Sequence, residues 1–287
     1  MKKTVVALVL AIVLLLTFEF GIANRANANF MGPALPNIYI KQDGSIEPST
    51  APIQRNGNTY SLTDNITNYA IIIQCDNIIV DGKGFTLQGR PSASIDWAIT
   101  LEQAAMSVGR HNITIKNFNI KQFYMGIYAP FMSNSIITAN TINCLNAVNL
   151  SPNCSNNQIT NNKLISSDQD GGGGVWIWGS SNIITGNYIA KFHGGIEFYE
   201  GEHNIASDNV LINTTLNILT HHATDTILEN NTINGESISS PSPKPTPSTI
   251  SSDYWLNPTF LTATLSTVAT VTVVSLMVCF KRQRRKG

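Results

Sequence analysis

Between residues 77 and 236 the chain alternates short apolar runs with small polar residues, and the alternation itself repeats. The segments "IITANTIN" (136–143), "QITNNKLIS" (158–166), "IITGNYIA" (183–190), "IASDNVLIN" (205–213) and "ILENNTIN" (227–234) share one pattern. It is an apolar residue, two variable positions, Asn, one variable position and a second apolar residue. The asparagines fall at 140, 162, 187, 209 and 231, at intervals of 22, 25, 22 and 22. "NITIKNFNI" (112–120), with Asn117, and "NIIVDGKGFTLQG" (77–89) are earlier, shifted copies. The apolar residues are mostly Ile and Val with period two, and no stretch sustains the 3.6-residue period of a helix, so the elements are short strands joined by turns.

A period near 22 fits a leucine-rich repeat or a parallel β-helix. A leucine frame and a helical return are both missing, which leaves the β-helix. Each repeat is then one coil that cannot bury its inner face alone and stacks on the next at about 4.8 Å. The recurring Asn suits a bend, where it tolerates a left-handed backbone and can bond the equivalent amide one coil away, forming a ladder.

A second strand follows each Asn: "AITLE" (98–102), "GIYAP" (126–130), "AVNLS" (147–151), "GVWIW" (174–178), "GIEFY" (195–199) and "TLNIL" (215–219). Alternation sends Ile99, Ile127, Val148, Val175, Ile196 and Leu216 inward, with Leu101, Ala129, Leu150, Ile177, Phe198 and Ile218 beside them. The outward set is Thr100, Tyr128, Asn149, Trp176, Glu197 and Asn217, flanked by Glu102, Pro130, Ser151, Trp178, Tyr199 and Leu219. The run "DQDGGGG" (168–174) accounts for the one 25-residue interval, as an insertion at the edge of that face.

The two ends change the picture. "MKKTVVALVLAIVLLLTFEF" followed by "RANANF" has the layout of a secretory signal peptide over 1–28. Residues 29–52 are expected as an N-terminal cap and 53–236 as the solenoid. A Pro/Ser/Thr-rich stretch over 237–257 stays extended and reads as a stalk. Residues 258–280 contain a 21-residue uncharged run, Phe260 to Phe280, long enough to span a bilayer, and the basic tail 281–287 belongs inside. The expected partners are therefore a membrane, through that C-terminal helix, and whatever the exported body meets at the cell surface. Formal net charge is zero and no basic patch points to nucleic acid. Cys75, Cys144 and Cys154 lie in the body; a Cys144–Cys154 disulfide and buried free thiols both remain open.

The lead-in "IYIKQDGSIEPSTAPIQRNGNTYSLTDNI", the coil "NIIVDGKGFTLQG", "NITIKNFNIKQFYMGIYA" and the "N-x-I" repeats resemble right-handed parallel β-helix proteins of the pectin-lyase-like class. They are similar in particular to the NosD-type repeat proteins of cell surfaces and periplasms, including archaeal ones. The resemblance covers roughly residues 38 to 236 and implies the fold far more strongly than an activity.

Chemistry is sought on the outward face. Trp176 and Trp178, with Tyr128, Asn149, Glu197 and Tyr199, form an aromatic and polar set suited to sugar, whose C–H faces pack on rings while polar neighbours take hydroxyls. An extracellular glycan is the expected ligand. The alternative is a polysaccharide hydrolase or lyase, for which Asp168 or Asp170 with Glu197 would supply the paired carboxylates. The paired-Asp and His-Gly motifs of polygalacturonase-like enzymes are missing, so binding is favoured over cleavage. The NosD resemblance implies copper, and the repeat register stacks His203 with Asp225 and Glu200 with His222, a set that could hold copper or calcium although no cofactor is required. A purely architectural coat protein is the remaining alternative.

Overall fold

The structure is a computed structural model that describes residues 35–90, 96–102, 109–168 and 171–241, with side chains to residue 236. The expected signal peptide, membrane span and basic tail lie outside those residues, as do Asp170 and most of the stalk.

Over the described residues the chain is an all-β, right-handed parallel solenoid of about seven coils. One ten-stranded sheet, here the front sheet, is built on the strands Asn37–Ile40, Ala70–Ile73, Trp97–Leu101, Met125–Tyr128, Asn146–Leu150, Gly171–Trp178, Phe192–Glu202 and Leu216–Thr220, each parallel to the next. Two short strands per coil, such as Ile183–Thr185 and Tyr188–Ala190, make the other two faces. The first front-sheet rung is Asn37–Ile40, inside the stretch expected as a cap, and it pairs in parallel with Ala70–Ile73. Antiparallel additions shield both ends: Ile53–Asn56 folds back on Thr59–Leu62, and Glu236–Pro241 folds back on Ile227–Ile233. Such additions cover open strand edges that would otherwise pair with other chains.

Three buried columns fill the interior, one from each face. Ile99, Ile127, Val148, Val175 and Ile196 stack in register on the front sheet. Ile115, Ile137, Ile159, Ile184, Ala206 and Leu228 form the second, and Leu87, Ile120, Ile142, Leu164, Ile189 and Leu211 the third. Each fully buried aliphatic side chain contributes about 1.5–3 kcal/mol, so the repeat of apolar residues every coil is what winds the chain. The last rung departs from the expected register. Ile218, not Leu216, pairs with Ile196, and Leu216 pairs with Gly194 and is 37% exposed. Ile196 and Ile218 each lie nine residues after a ladder asparagine, so the ladder, and not the apolar run, sets the register.

That ladder is present. Asn140, Asn162, Asn187, Asn209 and Asn231 are buried, and each Nδ2 donates to the Oδ1 of the next at 2.9–3.0 Å. The left-handed residue is not the ladder Asn itself but the one before it: Ala139, Asn161, Gly186, Asp208 and Asn230. The reason is geometric: the bend turns the chain at that residue, which leaves the next side chain pointing inward, where its amide meets the amides above and below. A second ladder, five residues earlier, runs through Asn157, Asn182 and Asn204. Its Nδ2–Oδ1 bonds are 3.0 and 3.2 Å, and Asn134, Asn156, Ser181, His203 and Asp225 supply the left-handed residues along the same corner.

Cys75, Cys144 and Cys154 are free and buried, which settles the disulfide question in favour of thiols. Burial pushes Cys144 and Cys154 up to about 12, so neither is a thiolate at neutral pH. Native protein is expected to leave both unlabelled by a thiol reagent over minutes at pH 8, with rapid labelling once urea unfolds the coils. Fast labelling of either in the native state, located by peptide mapping, would contradict their packing.

Asp81, in the "DGKG" turn, is structural. It is buried, accepts from the Lys83 N–H and Asn117 Nδ2 at 2.9 Å each, and pairs with Lys83 and Lys116 at 3.3 and 3.7 Å. Burial works to raise its pKa, but the two hydrogen bonds and Lys83 outweigh it and hold the carboxyl below its usual 3.8. A depressed folded value contributes stability above the unfolded pKa that is lost as pH falls through the folded one. Urea unfolding at pH 7 and at pH 2.5 should show a smaller acid loss for Asp81→Asn than for the unaltered chain; an equal loss would assign the acid sensitivity to other groups.

Candidate functional site

The front sheet carries the predicted outward column. Tyr128 pairs with Asn149, Asn149 with Trp176 and Trp176 with Glu197, so these four stand on one face in consecutive coils. The register shifts between Ile177 and Trp178, and Trp178 pairs with Glu200, which leaves Tyr199 as the extra residue of a bulge. In the last coil Leu219, not Asn217, stands opposite Glu197.

Two glycines explain how the large outward groups lie. Gly173 and Gly194 are register partners. A Cβ at Gly173 would overlap the Trp176 indole at Cε2 and Nε1, and a Cβ at Gly194 would overlap Glu197 Oε1. The absence of side chains lets the indole and the carboxylate fold back flat on the sheet. This is a second role for the glycine run, beside lengthening the coil.

The carboxylate is the centre of the array. Glu197 was expected in the open but is only 6% exposed, because neighbouring rings close over it. Trp176 Nε1 donates to its Oε1 at 2.8 Å and the Tyr199 hydroxyl to its Oε2 at 2.6 Å. The His221 Nε2 lies 4.0 Å from Oε2. Trp178 stacks on Tyr199 at 4.7 Å and Tyr199 on His221 at 5.1 Å, both with 14° between planes. Both faces of Tyr199 are thus taken by neighbours, and the stack presents ring edges along most of its length. Toward the N-terminal end Trp97, 39% exposed, packs on Tyr128 at 4.5 Å with the rings tilted by 47°. Burial holds the Tyr128 phenol above its ordinary value of 10. Between Tyr128 and Trp176, the Asn149 Oδ1 is buried and has no hydrogen-bond partner among the described residues, which costs about 1–3 kcal/mol for such an atom.

Trp97 and His221 were not among the expected site residues. Trp97 precedes the apolar run and falls by strict alternation on the inner side, yet Ala98 and Ile99 are both buried and the strand breaks alternation there. His221 is one residue beyond its strand, but the 22-residue interval from Tyr199 marks it as a stacking partner.

Asp168 is exposed before the Gly171–Trp178 strand, with its N–H bonded to Ser166 Oγ at 3.3 Å. The oxygens of Glu197 are held by Trp176 and Tyr199, and among the described residues no second carboxylate meets it.

His203 Nε2 comes within 3.9 Å of Asp225 Oδ2, and the Gly201–Ala223 pair sets Glu200 level with His222. Side-chain exposures of 66% and 72% for His203 and Asp225 leave that pair in water. Among the described residues no group of three or more His, Cys, Asp or Glu converges as a metal site. One imidazole with an exposed carboxylate 3.9 Å from each of its nitrogens, Glu202 at Nδ1 and Asp225 at Nε2, does not supply the closed donor set that copper takes, so the described residues do not fit the implied metal.

A family model described as periplasmic copper-binding protein (NosD) matches residues 153–257. No curated protein matches the chain. Among solved structures, the enzymatically active domain of tailspike protein 2 of bacteriophage CBA120 aligns at 14% identity and a TM-score of 0.44, over 62% of this chain and 35% of that one. The chain therefore spans about a third of that structure's length. The repeat architecture and the family match together make the chain similar to the NosD-type β-helix repeat proteins.

Proposed function

We propose that this chain is an exported, membrane-tethered β-helix protein that binds extracellular carbohydrate on the outward face of its front sheet, with Tyr128, Asn149, Trp176, Trp178, Glu197 and Tyr199 carrying the contacts. The observation that carries the reading is the Trp176–Glu197–Tyr199 arrangement. Two aromatic groups hold one carboxylate by hydrogen bonds of 2.8 and 2.6 Å, on a floor made by Gly173 and Gly194. Rings and polar groups fixed beforehand reduce the ordering cost of binding. Trp97, packed on Tyr128, extends the aromatic surface toward the N-terminal coils. The uncharged run within 258–280 supports tethering, and the periplasmic description of the matched family supports export.

The test is a glycan array probed with the purified full-length chain, followed by product analysis of every glycan bound. Retention with no product supports binding. Release of shortened oligosaccharides would assign cleavage, and no retention on any glycan would leave the ring stack an architectural feature that stiffens the sheet.

A further inference from the structure

We infer that the glycan taken by this face is a cationic, aminated one and not a polyuronate. The inference rests on the carbohydrate reading above and adds the charge of the ligand. The eight parallel strands of the front sheet contain no Lys and no Arg, while the Phe192–Glu202 strand alone brings Glu197, Glu200 and Glu202. The cations that flank the front-sheet strands stand away from the centre of the face: Lys121 ends the Asn119–Lys121 strand of another face, three strands before the Phe192–Glu202 strand, and Arg110 is buried with its Nε donating to the Glu102 carbonyl at 2.7 Å. Arg90 is tied to Asp96 at 2.6 Å at the corner before the Trp97–Leu101 strand, four strands from Glu197 and so about 19 Å away along the stack. Lys41 is paired with Glu47 at the N-terminal end, six strands and about 29 Å away. Lys191 is exposed at the corner where the Phe192–Glu202 strand begins, six residues before Glu197.

Glu197 is the decisive group. A carboxylate that is 6% exposed ordinarily has a cation beside it, because leaving water is costly for a lone charge. Its hydrogen-bond donors here are a neutral indole and a neutral phenol, and the cation-capable group facing it is the His221 imidazole at 4.0 Å. Each carboxylate oxygen accepts two hydrogen bonds, and Trp176 and Tyr199 fill one place on each. A ligand ammonium brought to the open places on Glu197 gains from this charge and from a charge-assisted hydrogen bond. A uronate carboxylate brought to the same place meets a like charge with no Lys or Arg on the sheet to offset it.

The experiment compares three oligomers of equal length on the full-length chain at neutral pH and low salt: glucosamine, its N-acetylated counterpart and galacturonate. The glucosamine oligomer is expected to bind about tenfold tighter than the N-acetylated one, with galacturonate weaker than both. Glu197→Gln should bring the first two to within about twofold of each other, and in the unaltered chain the same preference should shrink as salt is raised. The salt series needs no variant, so it stands if Glu197→Gln folds poorly. Equal binding of the aminated and acetylated oligomers, or galacturonate binding as tightly as either, overturns the charge inference while leaving carbohydrate binding intact. Binding of none of them, with none on the wider array, overturns the carbohydrate reading and this inference with it.

Discussion

Asn187→Ala is expected to lower the unfolding free energy by about 3 kcal/mol, among the larger effects of a single substitution in this chain. The Asn187 side chain joins three coils. Its Nδ2 donates to Asn209 Oδ1 at 2.9 Å, to the Ile159 carbonyl at 2.8 Å and to the Thr185 carbonyl at 3.1 Å. Its Oδ1 accepts from the Asn162 N–H at 2.9 Å and from Asn162 Nδ2 at 3.0 Å. Alanine removes all five and leaves buried donors and acceptors on both neighbouring coils. Each such group costs about 1–3 kcal/mol, and partial relaxation keeps the total below the sum. For a domain of this size the change corresponds to a fall in melting temperature of roughly 6–12 °C. Urea and thermal unfolding measure it, with exposed Lys163→Ala as the control expected within about 0.5 kcal/mol of the unaltered chain. In a solenoid stability is nearly a sum over neighbouring coils, so Asn231→Ala, at the last coil of the ladder, should cost less than Asn187→Ala. A loss under about 1 kcal/mol for Asn187→Ala would mean that the ladder follows from the winding without holding it.

Joint replacement of Trp176 and Trp178 by alanine is expected to weaken glycan binding by about 100-fold or more, with folding retained. Aromatic anchors at the centre of a binding surface typically contribute about 2 kcal/mol or more each, and two of them exceed two decades of affinity. Both indoles stand on the outward face, and their neighbours Val175 and Ile177 supply the core contacts, so circular dichroism should be unchanged. Trp176 also donates to Glu197, so Trp176→Phe separates the ring from its N–H. The ring alone should preserve most of the affinity for neutral sugars, whereas loss equal to that of alanine would move the recognition to the hydrogen-bonded carboxylate. Undiminished binding by the double variant would remove the aromatic face from the account.

Much of this molecule is legible in one dimension because a solenoid converts sequence period directly into spatial neighbours. The recurrence of Asn140, Asn162, Asn187, Asn209 and Asn231 at intervals of 22, 25, 22 and 22 is enough to predict an amide ladder, and period-two alternation is enough to set Trp176 and Glu197 on one face. The second ladder was equally available: Asn157, Asn182 and Asn204 each lie five residues before a member of the first. What alternation cannot give is any place where alternation fails. The bulge at Tyr199, the exposed Trp97 and the two-residue offset of Leu216 are local breaks fixed by contacts between coils. The burial of Glu197 depends on a long side chain bending over Gly194 while rings from two coils close around it, which no linear pattern encodes.

The most direct measurement is the indole N–H spectrum of the 15N-tryptophan-labelled full-length chain during titration with an oligosaccharide selected from the array, with peaks assigned by single Trp→Phe substitutions. Ligand seated on the front sheet should shift the Trp176 and Trp178 signals, the Trp176 one most because its N–H is bound to Glu197. Saturable binding that leaves both signals unmoved would place the carbohydrate elsewhere and contradict the account.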